Sequence, residues 1–155
     1  MYKKILVPLD GSELAECVLP HVEAVASGCS AQDVIFLRAV SPFYIPTAAD
    51  GAVFNDESIK RINAQNRAEA ESYLNGLVNR TKYDNVNVKS EIIFGRADES
   101  ITDYAAKNEV DLITIATHGR SGVSRWVWGS VADRILRGAC VPVLMVRAPG
   151  CVPGI

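Results

Sequence analysis

Three short runs in this chain are almost entirely apolar and lack the polar alternation of a half-wet strand: Ile5 to Leu9, the body of Asp33 to Val40, and Val110 to Ile115. A strand with one solvated face alternates apolar and polar residues, so runs of this kind belong to strands buried on both faces. That is the condition of a parallel sheet covered by helices.

The segments between the runs carry helical patterns. Ser12 is a natural N-cap for a helix that places Leu14, Val18, Val22 and Val25 on one face, with Pro20 inside it and expected to bend its axis. Glu57 to about Lys82 repeats apolar residues (Ile59, Ile62, Ala70, Leu74, Leu77) at helical spacing, and its charged face reads as solvated. Ser41 to Asp56, with two prolines and a glycine, reads as a long mobile connection of the sort that often covers a site. Val86 to Phe94 alternates and stops at Gly95, as an edge strand does; Ala97 to Asn108 and Val131 to Arg137 are shorter helices; Val141 to Val146 is a last strand.

The order of strands and helices implies an α/β fold, an open, mostly parallel sheet of about five strands with helices on both faces, in the manner of Rossmann-like domains. Ligands of such sheets bind outside the carboxyl ends of the strands where the strand order reverses, and strands one and four are expected to flank that point.

A chain of 155 residues is sufficient for one core, with residues 1–147 as a single domain and 148–155 as a flexible tail rich in proline and glycine. The formal charge of −2 provides no basic field, which argues against nucleic acid as a partner. Cys17, Cys29, Cys140 and Cys151 form no Cys-x-x-Cys pair and read as reduced, mostly buried thiols. The first apolar run is too short for a signal peptide and none reaches membrane-spanning length, so a cytoplasmic location and no membrane partner are expected.

Ala116 to Val131 (Ala-Thr-His-Gly-Arg-Ser-Gly-Val-Ser-Arg-Trp-Val-Trp-Gly-Ser-Val) joins the fourth strand to the helix that begins at Gly129-Ser130. Backbone N–H groups at a helix start attract phosphate oxygens, and glycines let the backbone come close. An equally available reading is that Gly119 and Gly122 shape a loop and Ser130 caps a helix. Neither the Gly-x-x-x-x-Gly-Lys-Ser/Thr nor the Gly-x-Gly-x-x-Gly phosphate fingerprint occurs. His21 and His118 read as structural or exposed histidines, because no second catalytic group or ligand is placed beside them by sequence. Trp126 and Trp128 read as loop hydrophobes that cover a ligand or pack on a partner.

Taken together, Lys-Lys-Ile-Leu-Val-Pro-Leu-Asp-Gly-Ser at the start, Phe-Leu-Arg-Ala-Val in the second strand, Asp-Leu-Ile-Thr-Ile-Ala-Thr-His-Gly-Arg-Ser-Gly, Gly-Ser-Val-Ala and Cys-Val-Pro-Val-Leu-Met-Val-Arg resemble the universal stress protein family. In its ATP-binding branch the signature is Gly-x-x-Gly, nine residues, then Gly-Ser or Gly-Thr. This chain has Ala116-Thr117-His118-Gly119, nine residues from Arg120 to Trp128, then Gly129-Ser130; Ala116 replaces the first glycine.

The resemblance implies that Pro8, Leu9 and Asp10 line the adenosine side of a pocket and that Ala39 or Val40 meets the adenine through backbone atoms. Ile115, Ala116 and Thr117 would run beneath it, and Gly119, Arg120, Gly129, Ser130 and Val131 would cradle the phosphates, with Arg125 a weaker partner. ATP would arrive with Mg or Mn bound through its phosphates, with no dedicated protein cage. The same resemblance implies a homodimer through the last strand that acts in stress response or signalling by changing its interactions with a protein partner. Two alternatives stand beside it: a slow ATPase or phosphotransferase using Asp10, and a dimeric interaction module that binds no nucleotide because of Ala116.

Overall fold

The computed structural model describes residues 1–43, 56–117 and 130–147. In chain order it contains β1 (Lys4–Pro8), a single 3-10 turn (Ala15–Val18), α1 (Leu19–Cys29), β2 (Asp33–Val40), α2 (Asp56–Arg80), β3 (Asn87–Phe94), α3 (Ala97–Lys107), β4 (Leu112–Ala116), α4 (Ser130–Gly138) and β5 (Val143–Val146). The strands form one sheet in the order β3-β2-β1-β4-β5, with every pairing parallel. This is the open α/β sheet expected from the unalternated apolar runs, and β3 lies at its edge as the alternating segment required.

Successive strand residues point to opposite faces, and the core divides accordingly. Ile5, Val7, Val34, Phe36 and Leu112 pack with Val22 and Ala26 of α1 and Leu74 and Leu77 of α2. Leu6, Ile35, Leu37, Ile113 and Ile115 pack on the other face with Ile101 and Ala105 of α3 and Ala132 and Ile135 of α4. Fully burying one such side chain stabilises the fold by about 1.5 to 3 kcal/mol.

Two expectations are corrected. The helix anticipated from Ser12 through Val25 is divided, because the 3-10 turn precedes α1 and Pro20 lies in the first turn of α1. There its missing N–H leaves no helical bond unmade, so the proline starts a helix and does not kink one. Nor are the thiols mostly buried: Cys17 and Cys29 are half-buried and Cys140 is exposed, while Cys151 falls outside the described residues. Cys140 lies in the link between α4 and β5, where the chain runs over the surface.

The seam between β1 and β4 is short. The ladder joins Ile5 to Leu112 and Leu6 to Ile113 and goes no further, whereas β1 pairs with β2 over all five of its residues. In β1 the odd residues direct their backbone groups to β2, as in the Leu9 N–H to Leu37 carbonyl bond of 2.8 Å, so the even residues face β4. The next rung to β4 would be donated by residue 8, which is proline and has no N–H. The paired register of β1 and β4 therefore ends toward their carboxyl ends, where the strand order reverses.

Candidate functional site

β1 ends in Pro8-Leu9-Asp10-Gly11-Ser12, and the turn is held by side chains. Asp10 Oδ1 accepts from the Ser12 N–H at 2.9 Å and from the Ser12 hydroxyl at 2.6 Å, and the Ser12 oxygen accepts from the Ala15 N–H at 3.2 Å. Gly11 supplies a φ of +85°, which L side chains rarely adopt. Ser12 thus opens the 3-10 turn, and Asp10 is fixed at the mouth of the crevice by its own loop.

A cavity of about 310 Å³ opens beside this turn, lined by Asp10, Arg38, Ala39, Val40, Ser41, Asn66 and Glu69. Its size falls within the usual range for small-molecule sites. Three expected residues, Asp10, Ala39 and Val40, are brought together in it. Pro8 and Leu9 are buried beneath, and Leu9 belongs to the core with α1.

Strand alternation turns the backbone groups of Ala39 and Val40 to opposite sides of β2. The Val40 carbonyl accepts from the Gly95 N–H at 3.1 Å, on the β3 side. Ala39, one residue back, therefore directs its N–H and C=O to the β1 side, past the last pair of that register, Pro8 with Leu37. A donor and an acceptor of the backbone face the crevice side by side.

The polar wall behind the cavity is organised by α2. The Arg38 guanidinium lies over the Tyr73 ring, 5.6 Å from its centroid. The Tyr73 hydroxyl donates to Glu16 Oε1 at 3.1 Å, and Arg80 pairs with the other oxygen of the same carboxylate. Burial, and then the negative charge of Glu16, push the Tyr73 hydroxyl well above its ordinary ionisation range, so it remains a donor at neutral pH.

Across the seam, Ile115 and Ala116 are buried and Thr117 is half-buried, with the Thr117 N–H donating to the Val146 carbonyl at 2.8 Å. The Ala116 side chain belongs to the core cluster on the α1 face. Ser130 and Val131 are exposed in the first turn of α4. Gly119, Arg120 and Gly129, together with His118, Arg125, Trp126 and Trp128, lie outside the described residues. His21 is exposed on α1. Among the described residues no group of three His, Cys, Asp or Glu side chains is placed to hold a metal ion, and no helix is long and apolar enough to cross a membrane.

Sequence reasoning missed Arg38, Ser41, Asn66 and Glu69 as cavity residues. Asn66 and Glu69 fall three apart on the polar side of α2, a pattern identical to that of any solvated helix face. Only the packing of α2 against β2 brings them to the cavity wall.

A profile of the universal stress protein family matches residues 1–147. The chain belongs to the universal stress protein family. It is 31% identical to Universal stress protein MJ0531 of Methanocaldococcus jannaschii over 150 residues, covering 96% of this chain and 84% of that one. Universal stress protein UspA from Lactobacillus plantarum superimposes with a TM-score of 0.78 at 25% identity, over 94% of this chain and 98% of that one. A universal stress protein family member from Arabidopsis thaliana, solved with AMP bound, shares the fold with a TM-score of 0.64 at 17% identity, over 96% of this chain and 93% of that one. Among universal stress proteins, then, this chain keeps both the sheet and nearly the full length.

Proposed function

We propose that this universal stress protein binds ATP in the crevice at the carboxyl ends of β1, β2 and β4, and that binding, not turnover, is its activity. The observation that carries the reading is the Ala39 backbone. Its N–H and C=O lie together beyond the end of β1 in a cavity that Asp10 also lines, and adenine presents the complementary pair, an acceptor at N1 and a donor at N6. Guanine presents a donor at N1 and an acceptor at position 6, so the same backbone pair disfavours it. The AMP bound to the Arabidopsis relative supports an adenine nucleotide as the ligand class.

Asp10, held by Ser12, is positioned to accept from the ribose hydroxyls. The phosphates extend to Gly119, Arg120, Gly129, Ser130 and Val131, where the start of α4 offers unpaired N–H groups and the Ser130 hydroxyl. Magnesium or manganese, carried on the phosphates, would neutralise their charge. Ala116 is compatible with this arrangement, because its methyl is buried in the α1-face core.

The protein acts as a homodimer through β5, the edge strand opposite β3, whose Val143, Leu144 and Met145 are only half-buried in the monomer. Nucleotide loading then alters the surface offered to a protein partner in a stress or signalling response.

Titration calorimetry with ATP and magnesium tests the reading. Ser130→Ala is expected to weaken binding by about 1 to 3 kcal/mol through loss of a hydrogen bond to a charged group. ATP that binds wild type and Ser130→Ala equally would remove the phosphate assignment, and absence of any ATP binding would remove the proposal as a whole.

A further inference from the structure

Among the polar side chains that line the cavity, most are committed elsewhere. Asp10 is engaged by Ser12, Arg38 lies over Tyr73, and Glu69 Oε1 accepts from the Gln65 amide at 3.2 Å. Asn66 is different: it is half-buried on α2, it lines the cavity, and its amide makes no hydrogen bond among the described residues. A half-buried carboxamide at a cavity wall, bonded to nothing among the described residues, keeps both its donor and its acceptor available to whatever enters the cavity.

Resting on the adenine reading of the site, we infer that Asn66 is a specificity-determining residue that reads the second polar edge of the base. The Ala39 N–H and C=O occupy N1 and one hydrogen of the 6-amino group. The other hydrogen of that amino group and the N7 acceptor lie on the opposite edge of the purine, and a carboxamide matches them in a two-bond pattern: the 6-amino N–H donates to Asn66 Oδ1, and Asn66 Nδ2–H donates to N7. Ala39 comes from β2 and Asn66 from α2, which packs on the same strand, so the base is held between sheet and helix. Val40 supplies the apolar part of the lining.

The experiment compares ATP with 7-deaza-ATP, in which N7 is replaced by a C–H, on wild type, Asn66→Ala and Asn66→Asp by titration calorimetry. Wild type is expected to prefer ATP over 7-deaza-ATP by about tenfold, the loss of one hydrogen bond to a neutral acceptor. Asn66→Ala is expected to bind ATP roughly ten- to a hundredfold more weakly and to show no preference between the two ligands. Asn66→Asp, which keeps the acceptor and lacks the donor, is expected to lose the preference as well.

If the preference survives in Asn66→Ala, or if its ATP affinity equals that of wild type, Asn66 does not read the base and the inference falls while ATP binding stands. If wild type itself binds no ATP, the functional reading fails, and this inference with it. Alanine favours the helix and Asn66 bonds nothing among the described residues, so a circular dichroism melt matching wild type confirms that the variant is folded.

Discussion

Lys4 and Asp111 bond each other twice: the Lys4 N–H donates to Asp111 Oδ2 at 2.8 Å, and the Asp111 N–H donates to the Lys4 carbonyl at 2.9 Å. The Lys3 N–H donates to the same carboxylate oxygen at 2.8 Å. This clasp sits at the amino end of the β1–β4 seam, opposite the end where the ladder stops. Asp111→Ala leaves two strand N–H groups without their acceptor and is expected to cost about 1 to 3 kcal/mol, measured as a lower urea midpoint with an unchanged slope. Asp111→Asn, which keeps an acceptor oxygen, should lose less.

At Gly95 two separate penalties meet. Its φ is +139°, and a Cβ built there would stand 2.5 Å from the Ser100 Oγ, with the Ser100 Cβ at an ordinary 3.8 Å. Gly95→Ala is expected to destabilise by about 1 to 3 kcal/mol. The double variant Gly95→Ala with Ser100→Ala removes the close atom and leaves the backbone strain. It should melt above the Gly95→Ala single variant and below Ser100→Ala alone.

Asp98 joins two helices. It accepts from Arg96 Nη2 at 2.8 Å and, across to α4, from Arg134 Nη1 at 3.4 Å. The Arg96 guanidinium beside it holds its carboxyl down to about 2. Because the folded value lies below that of the unfolded chain, the contribution is complete above the ordinary carboxylate range, roughly pH 4, and fades as the pH falls toward 2. Asp98→Asn is therefore expected to be less stable than wild type at pH 7 and to show a shallower loss between those values. Parallel curves for the two proteins in acid denaturation would contradict the assignment.

Thr114 is the inverse case. Its hydroxyl is fully buried in the middle of β4, with no hydrogen-bond partner among the described residues. Thr114→Val replaces that hydroxyl with a methyl of similar shape and removes an uncompensated polar burial, so it should be neutral or stabilising by up to about 2 kcal/mol in a thermal melt. A loss of stability would mean that the hydroxyl is satisfied in solution.

β1, β2 and β4 were legible because burial on both faces leaves an unmistakable pattern; Asp33–Val40 emerged with the boundaries read from its residues. Pro20 was misread for a physical reason. A proline within an apolar helical repeat looks like a kink until one knows that the preceding turn is 3-10 and that the helix starts one residue earlier. That Asp10 and Ala39 line one cavity agrees with what the family resemblance implied for their positions. Asn66 was not legible, since an asparagine on the polar side of a long helix carries no mark of what packs above it. The sides of β2 to which Ala39 and Val40 turn their backbone groups required the parity of hydrogen bonding, which depends on a partner strand that no local pattern specifies.

Pro8 has one more consequence. Where the β1–β4 ladder stops does not depend on a loop being in place or a ligand being present, because the donor for its next rung does not exist at that position. The limit of the β1–β4 ladder is thus written into the covalent chain: no rearrangement of the backbone can supply a donor at residue 8.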